Sequence, residues 1–182
     1  MKIDLNRDWT EFLCALIAHR VRFVMIGGHA VAAHGEPRLT EDLDVFVEPT
    51  AANARRVRAA LVDFGFGAAA PSLKLLAARD KVFMLGRKPW RVDILTGIDG
   101  VSFREAWAGR VKVAFVASPL FVIGRRALIK NKRAAGRAKD LSDVEQLEAL
   151  PPPARARASG GRKRRTKPTA RRAVSRGPIT SR

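Results

Sequence analysis

Cysteine is almost absent from this 182-residue chain, and a single Cys14 cannot close an intramolecular disulfide. It lies among Phe12, Leu13, Leu16 and Ile17 in what reads as one side of a helix, so a buried structural thiol is expected, not a nucleophile. No apolar run approaches the roughly 20 residues that cross a bilayer. The N-terminus alternates charged and apolar side chains where a signal peptide would have an apolar core. No membrane partner is therefore expected, and a cytoplasmic location is. Acidic residues are missing altogether from residues 151–182, where eleven Lys and Arg occur. That segment opens with Pro151-Pro152-Pro153, contains Arg162-Lys163-Arg164-Arg165, and has almost no large apolar side chain to offset the entropy of ordering. It reads as a disordered basic tail. Two readings of its purpose stand side by side: an arm that holds nucleic acid through phosphate contacts, and a solubilising extension with no ligand.

The hydrophobic fraction of 47% is enough for one sizeable core in residues 1–150. The formal charge of +18 is unevenly spread: without the tail, 24 basic residues face 17 acidic ones, leaving +7.

Asp8 precedes Trp9, Phe12, Leu13, Leu16 and Ile17 at helical spacing, with Glu11 placed to complete a capping box, so a helix is expected to about His19. Residues 21–26 read as a buried strand ended by Gly27-Gly28, and His29 to His34 as a short helix. A second strand, 43–47, is closed by Pro49, and Thr50 is placed to cap a helix running to Gly65. Residues 81–85 and 90–95 read as a hairpin about Gly86-Arg87-Lys88-Pro89. A helical turn at 103–108, paired strands at 111–116 and 120–123, a helix at 124–134 and another starting at a capping Asp140 complete the pattern. This order predicts an α/β (α+β) domain with a mixed sheet flanked by helices.

Chemistry is concentrated in Thr40-Glu41-Asp42-Leu43-Asp44. Alternation along a strand puts Asp42 and Asp44 on one face and Leu43 and Val45 on the other. Two like charges at an otherwise apolar strand start repel unless a cation lies between them, and hard divalent cations prefer such oxygen ligands. The alternative is that one Asp caps a turn while the other is solvated. Gly27-Gly28, between strand and helix, would let a phosphate approach the backbone, although a Gly-Gly pair is more often only a tight turn. Asp93 is the only acid in Arg91-Val92-Asp93-Ile94-Leu95, and burial there requires a metal or a basic neighbour such as Arg91. If its strand lies beside the Asp42–Asp44 strand, the three acids describe two-metal chemistry, with Asp93 orienting or deprotonating the nucleophile. Lys130, Lys132, Arg133, Arg137 and Lys139 form a basic run that either meets a triphosphate or RNA backbone or is a solvated helix face. Asp140 and Asp143 read equally as a helix cap and a first-turn acid. His29 and His34 read as packing or solvent-facing side chains, and Trp9, Trp90 and Trp107 as core or half-buried anchors.

Ile26-Gly27-Gly28-His29-Ala30 followed by Thr40-Glu41-Asp42-Leu43-Asp44 resembles the signature of the DNA polymerase β-like nucleotidyltransferase superfamily. The stretch from Leu128 to Asp143, with Lys130, Lys132, Arg137, Lys139, Asp140 and Asp143, resembles an element of its AbiEii-like branch, which comprises toxins and small relatives. The resemblance covers about residues 21–147. It implies a nucleotidyltransferase domain at 1–150, Mg²⁺ or Mn²⁺ as cofactor, and transfer of a nucleoside monophosphate from a nucleoside triphosphate to a hydroxyl. RNA, tRNA included, is the first acceptor it implies, with a small molecule or protein as alternatives and an antitoxin as a further partner. By motif position, Asp42 and Asp44 would hold metal, Gly27 and Gly28 would bind phosphates, and Lys132 and Asp140 would complete the catalytic set. Asp93, from its own strand, is expected to join the metal ligands and the catalytic set, and Thr40, Lys130 and Arg137 are expected as further nucleotide contacts. Many superfamily members carry Ser where this chain has Gly28; a non-catalytic nucleic-acid-binding relative is the rival outside enzymology.

Deleting residues 151–182 is expected to leave the melting temperature nearly unchanged, because the segment offers little apolar burial, while nucleic-acid affinity falls and its salt dependence flattens. A large loss of melting temperature would show instead that the segment packs on the domain.

Overall fold

A Val, Leu and Phe-rich sheet forms the centre of the computed structural model, which describes residues 5–35, 38, 40–87, 89–116 and 118–151. The expected disordered tail, except Pro151, lies outside the described residues. Helix α1 (Arg7–Ala18) is followed by β1 (Phe23–Met25), α2 (Gly27–Ala33), β2 (Asp42–Val47) and α3 (Ala51–Asp63). A 3₁₀ turn (Gly67–Ala69), α4 (Leu73–Ala77) and the strands β3 (Val82–Leu85) and β4 (Arg91–Leu95) come next. The remainder is α5 (Phe103–Ala108), β5 (Val111–Val113), β6 (Leu120–Val122), α6 (Arg125–Ala135) and α7 (Ala138–Ala149). The strands form one six-stranded sheet in the order β3-β4-β2-β1-β6-β5. It is mixed: β4 runs parallel to β2 and β6 parallel to β1, whereas the other pairs are antiparallel. The α+β architecture with a mixed, helix-flanked sheet is thus as expected.

Period-two burial sets the sheet faces. Leu43, Val45 and Val47 on β2, with Val92 and Ile94 on β4, are buried on one side. The opposite side begins with Asp42, Asp44, Arg91 and Asp93 and becomes apolar at Phe46, whose ring meets Phe103 edge-on at 5.2 Å. Asn53 of α3, almost fully buried, bonds the Arg22 backbone through both its N–H and C=O and also reaches the Glu48 carbonyl. It ties α3 to the approach to β1 and the end of β2, and satisfies polar groups that burial would otherwise leave unpaired.

Several local expectations change. Helix α1 starts two residues earlier than Asp8 would set: Asn6 is the cap, its side chain accepting from Trp9 N at 2.9 Å, and Glu11 pairs with Arg7 instead of closing a capping box. Cys14 is exposed. The core-facing stripe is Trp9, Phe12, Leu13 and Leu16, and position 14 is turned by about 100° per residue off that stripe. Asp140 lies inside α7, with Arg137 at the N-cap, so it caps nothing. Trp90 is exposed, whereas Trp9 is buried and Trp107 half-buried. Helix α4, capped by Ser72, was not foreseen, because Leu73-Lys74-Leu75-Leu76-Ala77 is too short to show a period.

Candidate functional site

The parallel register of β2 and β4 places Asp42 opposite Arg91 and Asp44 opposite Asp93. The conditional expectation that Asp93 lies beside the Asp42–Asp44 strand is therefore met in the fold, and three carboxylates share one face. Arg91 answers part of that charge. Its Nη2 bonds Asp42 Oδ2 at 2.7 Å and Asp93 Oδ2 at 2.9 Å, and its Nε bonds Asp93 Oδ1 at 2.8 Å. Among the described residues, no hydrogen bond or ion pair reaches the Asp44 carboxylate. Burial first, and then the charges of Asp42 and Asp93, push its pKa up to about 6, with Arg91 and Lys132 opposing.

The glycine pair is moulded around these groups. Gly27 has φ +64°, and a Cβ on it would overlap the Asp44 carboxylate. A Cβ on Gly28 would come within 2.8 Å of Thr40 Cβ, 2.9 Å of Thr40 Oγ1 and 3.3 Å of Arg38 Nε. The space over both glycines is thus taken by protein side chains. Thr40 in turn donates to Asp42 Oδ1 at 3.0 Å, which steadies that carboxylate from the loop side.

A second cluster forms where α6 turns into α7. Gly136, left-handed at φ +65°, ends α6 and returns its N–H to the Lys132 carbonyl, so the last turn of α6 faces the first turns of α7. Lys132, buried, places its ammonium 2.8 Å from Asp140 Oδ1 and 2.6 Å from Asp143 Oδ2. Arg137 Nε reaches Asp140 Oδ2 at 2.5 Å, and Arg38 pairs with Asp143. Burial works to raise the Asp140 pKa, but the bonds from Lys132 and Arg137 outweigh it and hold it below the usual carboxylate range. The charges of Lys132 and Arg137 are both felt at Asp44 and its neighbourhood, which makes the two clusters one electrostatic unit.

Asp42, Asp44, Asp93, Gly27, Gly28, Thr40, Lys132, Asp140 and Arg137 accordingly gather in one region. Lys130 does not join them: its ammonium bonds both Glu105 oxygens, at 3.0 and 2.8 Å, on an exposed face. Arg137 shares no helix with Arg133, because α6 ends between them. Asp143 is nearly fully buried in an ion pair, a stronger role than a first-turn acid would have. Arg38 went unnoticed in the sequence; its only signal is a lone basic residue between Gly35 and Thr40. His29 packs edge-on against Trp9 at 4.9 Å, and burial lowers its pKa despite the Asp42 charge. His34 Nε2 lies 2.8 Å from the Ile123 carbonyl, so both histidines serve packing.

The oxygen donors suit a hard divalent cation such as Mg²⁺ or Mn²⁺, and burial, reinforced by the charges of Asp42 and Asp93, raises the pKa of Asp44. Among the described residues, no group of three or more His, Cys, Asp or Glu side chains is arranged as a ready-made metal cage. Arg91 engages three of the six carboxylate oxygens of Asp42, Asp44 and Asp93, and a cation would compete with it for them.

No model of a known protein family matches this chain, and neither does any curated protein.

The Asp44 shift fixes the sign of one pH effect. With its folded pKa raised to about 6 from an ordinary value of 3.8, the native state binds the extra proton between those limits. Stability carried by that proton is present at low pH and is lost as pH rises through 6. Asp44→Asn is expected to raise the melting temperature at pH 7.5 in chelator, and to leave it almost unchanged near pH 4. Thermal scans at both pH values check this; equal shifts at both would place the effect elsewhere.

Proposed function

We propose that this chain is a divalent-cation-dependent nucleotidyltransferase that moves a nucleoside monophosphate from a nucleoside triphosphate to a hydroxyl acceptor. One observation carries the reading: Asp44 and Asp93 stand side by side in parallel register with Asp42 on the same face, and Asp44 has no direct counter-ion among the described residues. Purely structural acids are rarely crowded in this way, because each ionised neighbour raises the cost of ionising the next. The resemblance of the Gly27-Gly28 and Asp42-Leu43-Asp44 segments to the superfamily signature supports the same reading.

In the reaction, the acceptor oxygen attacks the α-phosphorus. A new P–O bond forms to the acceptor, the bond from the α-phosphorus to its bridging oxygen breaks, and pyrophosphate leaves. A bound divalent cation supplies charge neutralisation for the phosphates and lowers the pKa of the attacking hydroxyl. The chain's own residues do the rest. Asp42 and Asp44, with Asp93 beside them, would hold the cation, and the acceptor's proton would pass to Asp93 and then to solvent. Thr40 orients Asp42, while Arg91 orients both Asp42 and Asp93. Lys132, seated on Asp140 and Asp143, adds a fixed positive charge that opposes the rise in the Asp44 pKa. RNA is the acceptor we favour, on the +7 charge of the first 150 residues and the eleven basic residues that follow. An antitoxin partner and a cytoplasmic setting belong to the same proposal.

A second reading, a nucleic-acid-binding relative without turnover, draws on one observation: Arg91 already pairs with two of the three acids, as a structural cation would. Incubation of purified protein with each labelled nucleoside triphosphate and Mg²⁺, against RNA, protein extract or small-molecule pools, separates the two. Label transfer is expected and should fall by roughly 10³ or more in Asp44→Ala or Asp42→Ala, the scale of removing a principal electrostatic stabiliser. Lys130→Met, on the Glu105 side of α6, should leave transfer nearly unchanged. Failure to label any pool, or full transfer by the Asp variants, would contradict the reading.

A further inference from the structure

Pairing with Asp143 does not account for the whole of Arg38. Its side chain is only 15% exposed, and while the Nη1 end meets Asp143, the Nε is buried with no hydrogen-bond partner among the described residues. That Nε and the Thr40 hydroxyl both border the space over Gly28. They lie 3.3 and 2.9 Å from the position that a Gly28 Cβ would take. Thr40 Oγ1 is also 3.0 Å from Asp42 Oδ1, so that space adjoins the carboxylate cluster. A guanidinium carries five N–H donors in a rigid fork. With one end fixed on a carboxylate, the buried Nε is left as an unpaired charged donor, which a phosphate oxygen would satisfy once the side chains around Gly28 shift. Behind it runs a continuous chain of charge, from Lys132 to Asp143 to Arg38, with both Lys132 and Asp143 buried.

We propose that Arg38 is the phosphate-binding residue of this site. It is seated from behind by Asp143 and works with Thr40 over Gly28, and its ligand is the polyphosphate group of a nucleoside triphosphate or inorganic triphosphate. The identity of the ligand rests on the nucleotidyl-transfer reading above. The absence of a side chain at Gly28 then has a reason of its own, because a Cβ would intrude on both the Arg38 Nε and the Thr40 hydroxyl. Lys132, enclosed by Asp140 and Asp143, acts through the acids that seat Arg38 and does not itself meet the phosphates. The Nε is closed from solvent, so binding entails a side-chain shift around Gly28.

Calorimetric titration of the full chain with ATP in Mg²⁺, and separately with inorganic triphosphate, tests this in wild type, Arg38→Gln and Arg38→Lys. Wild type is expected to bind both ligands. Arg38→Gln should lose roughly tenfold or more in affinity for each, the scale of one charge-assisted contact, and Arg38→Lys should fall between, since charge is kept and the fork is lost. If wild type binds and Arg38→Gln binds equally well, Arg38 is a structural partner of Asp143 only, and the nucleotidyl-transfer reading stands without it. If wild type binds neither ligand, both fail together. Should Arg38→Gln unfold, Arg38→Lys, which keeps a cation for Asp143, carries the test, and an unchanged affinity there overturns the proposal.

Discussion

Crowding of like charge at the start of two adjacent parallel strands is the constraint on which the rest of the site depends. Asp42, Asp44 and Asp93 stand together because β2 and β4 pair in one register; a slip of one residue in β2 would send Asp42 and Asp44 to the apolar face of Leu43, Val45, Val92 and Ile94, and a slip in β4 would send Asp93 there. Once they are together, neighbouring structure follows from managing them. Arg91 bridges two of them, Thr40 steadies one, Gly27 leaves out a side chain so that Asp44 fits, and Lys132 sits close enough to moderate the Asp44 charge. Even the tight turn at Gly136 belongs here, since it brings Lys132 against Asp140 and Asp143.

A stable fold alone does not call for this arrangement. An apolar residue at position 44 would remove both the desolvation and the repulsion that push its pKa up to about 6. Strain of this kind is characteristic of sites where a ligand supplies the missing charge. Arg91 shows how far the protein goes toward neutrality unaided: it engages Asp42 and Asp93 and leaves Asp44 to its neighbours.

Much of this was legible in the chain itself. Alternation in Asp-Leu-Asp put two carboxylates on one face, and Asp93, alone in an apolar run, pointed to a partner or a metal. The mixed sheet followed from hairpin-forming strands interleaved with helices, and Thr50 was recognisable as a cap because a proline and an apolar period frame it. Long-range pairing was not legible. That β4 lies parallel to β2 depends on how α3, α4 and β3 cross over, which no local pattern encodes. Arg38 was missed because its contacts, with Asp143 of α7 and over Gly28, are long-range and leave no local pattern. Lys130 and Lys132 share a basic run, and only the family resemblance set Lys132 apart; helix rotation buries Lys132 and leaves Lys130 on Glu105. Cys14 shows the opposite error: apolar neighbours in sequence are not neighbours on a helix face.

We propose that the acid cluster centred on Asp44 receives a divalent cation. Carbon-detected NMR titration of the Asp44 carboxylate, with and without saturating Mg²⁺, tests it most directly. A midpoint near 6 is expected in chelator. In Mg²⁺ it should fall by at least about one unit, because an adjacent cation favours the ionised form. A midpoint that stays near 6 with Mg²⁺ present would contradict the claim.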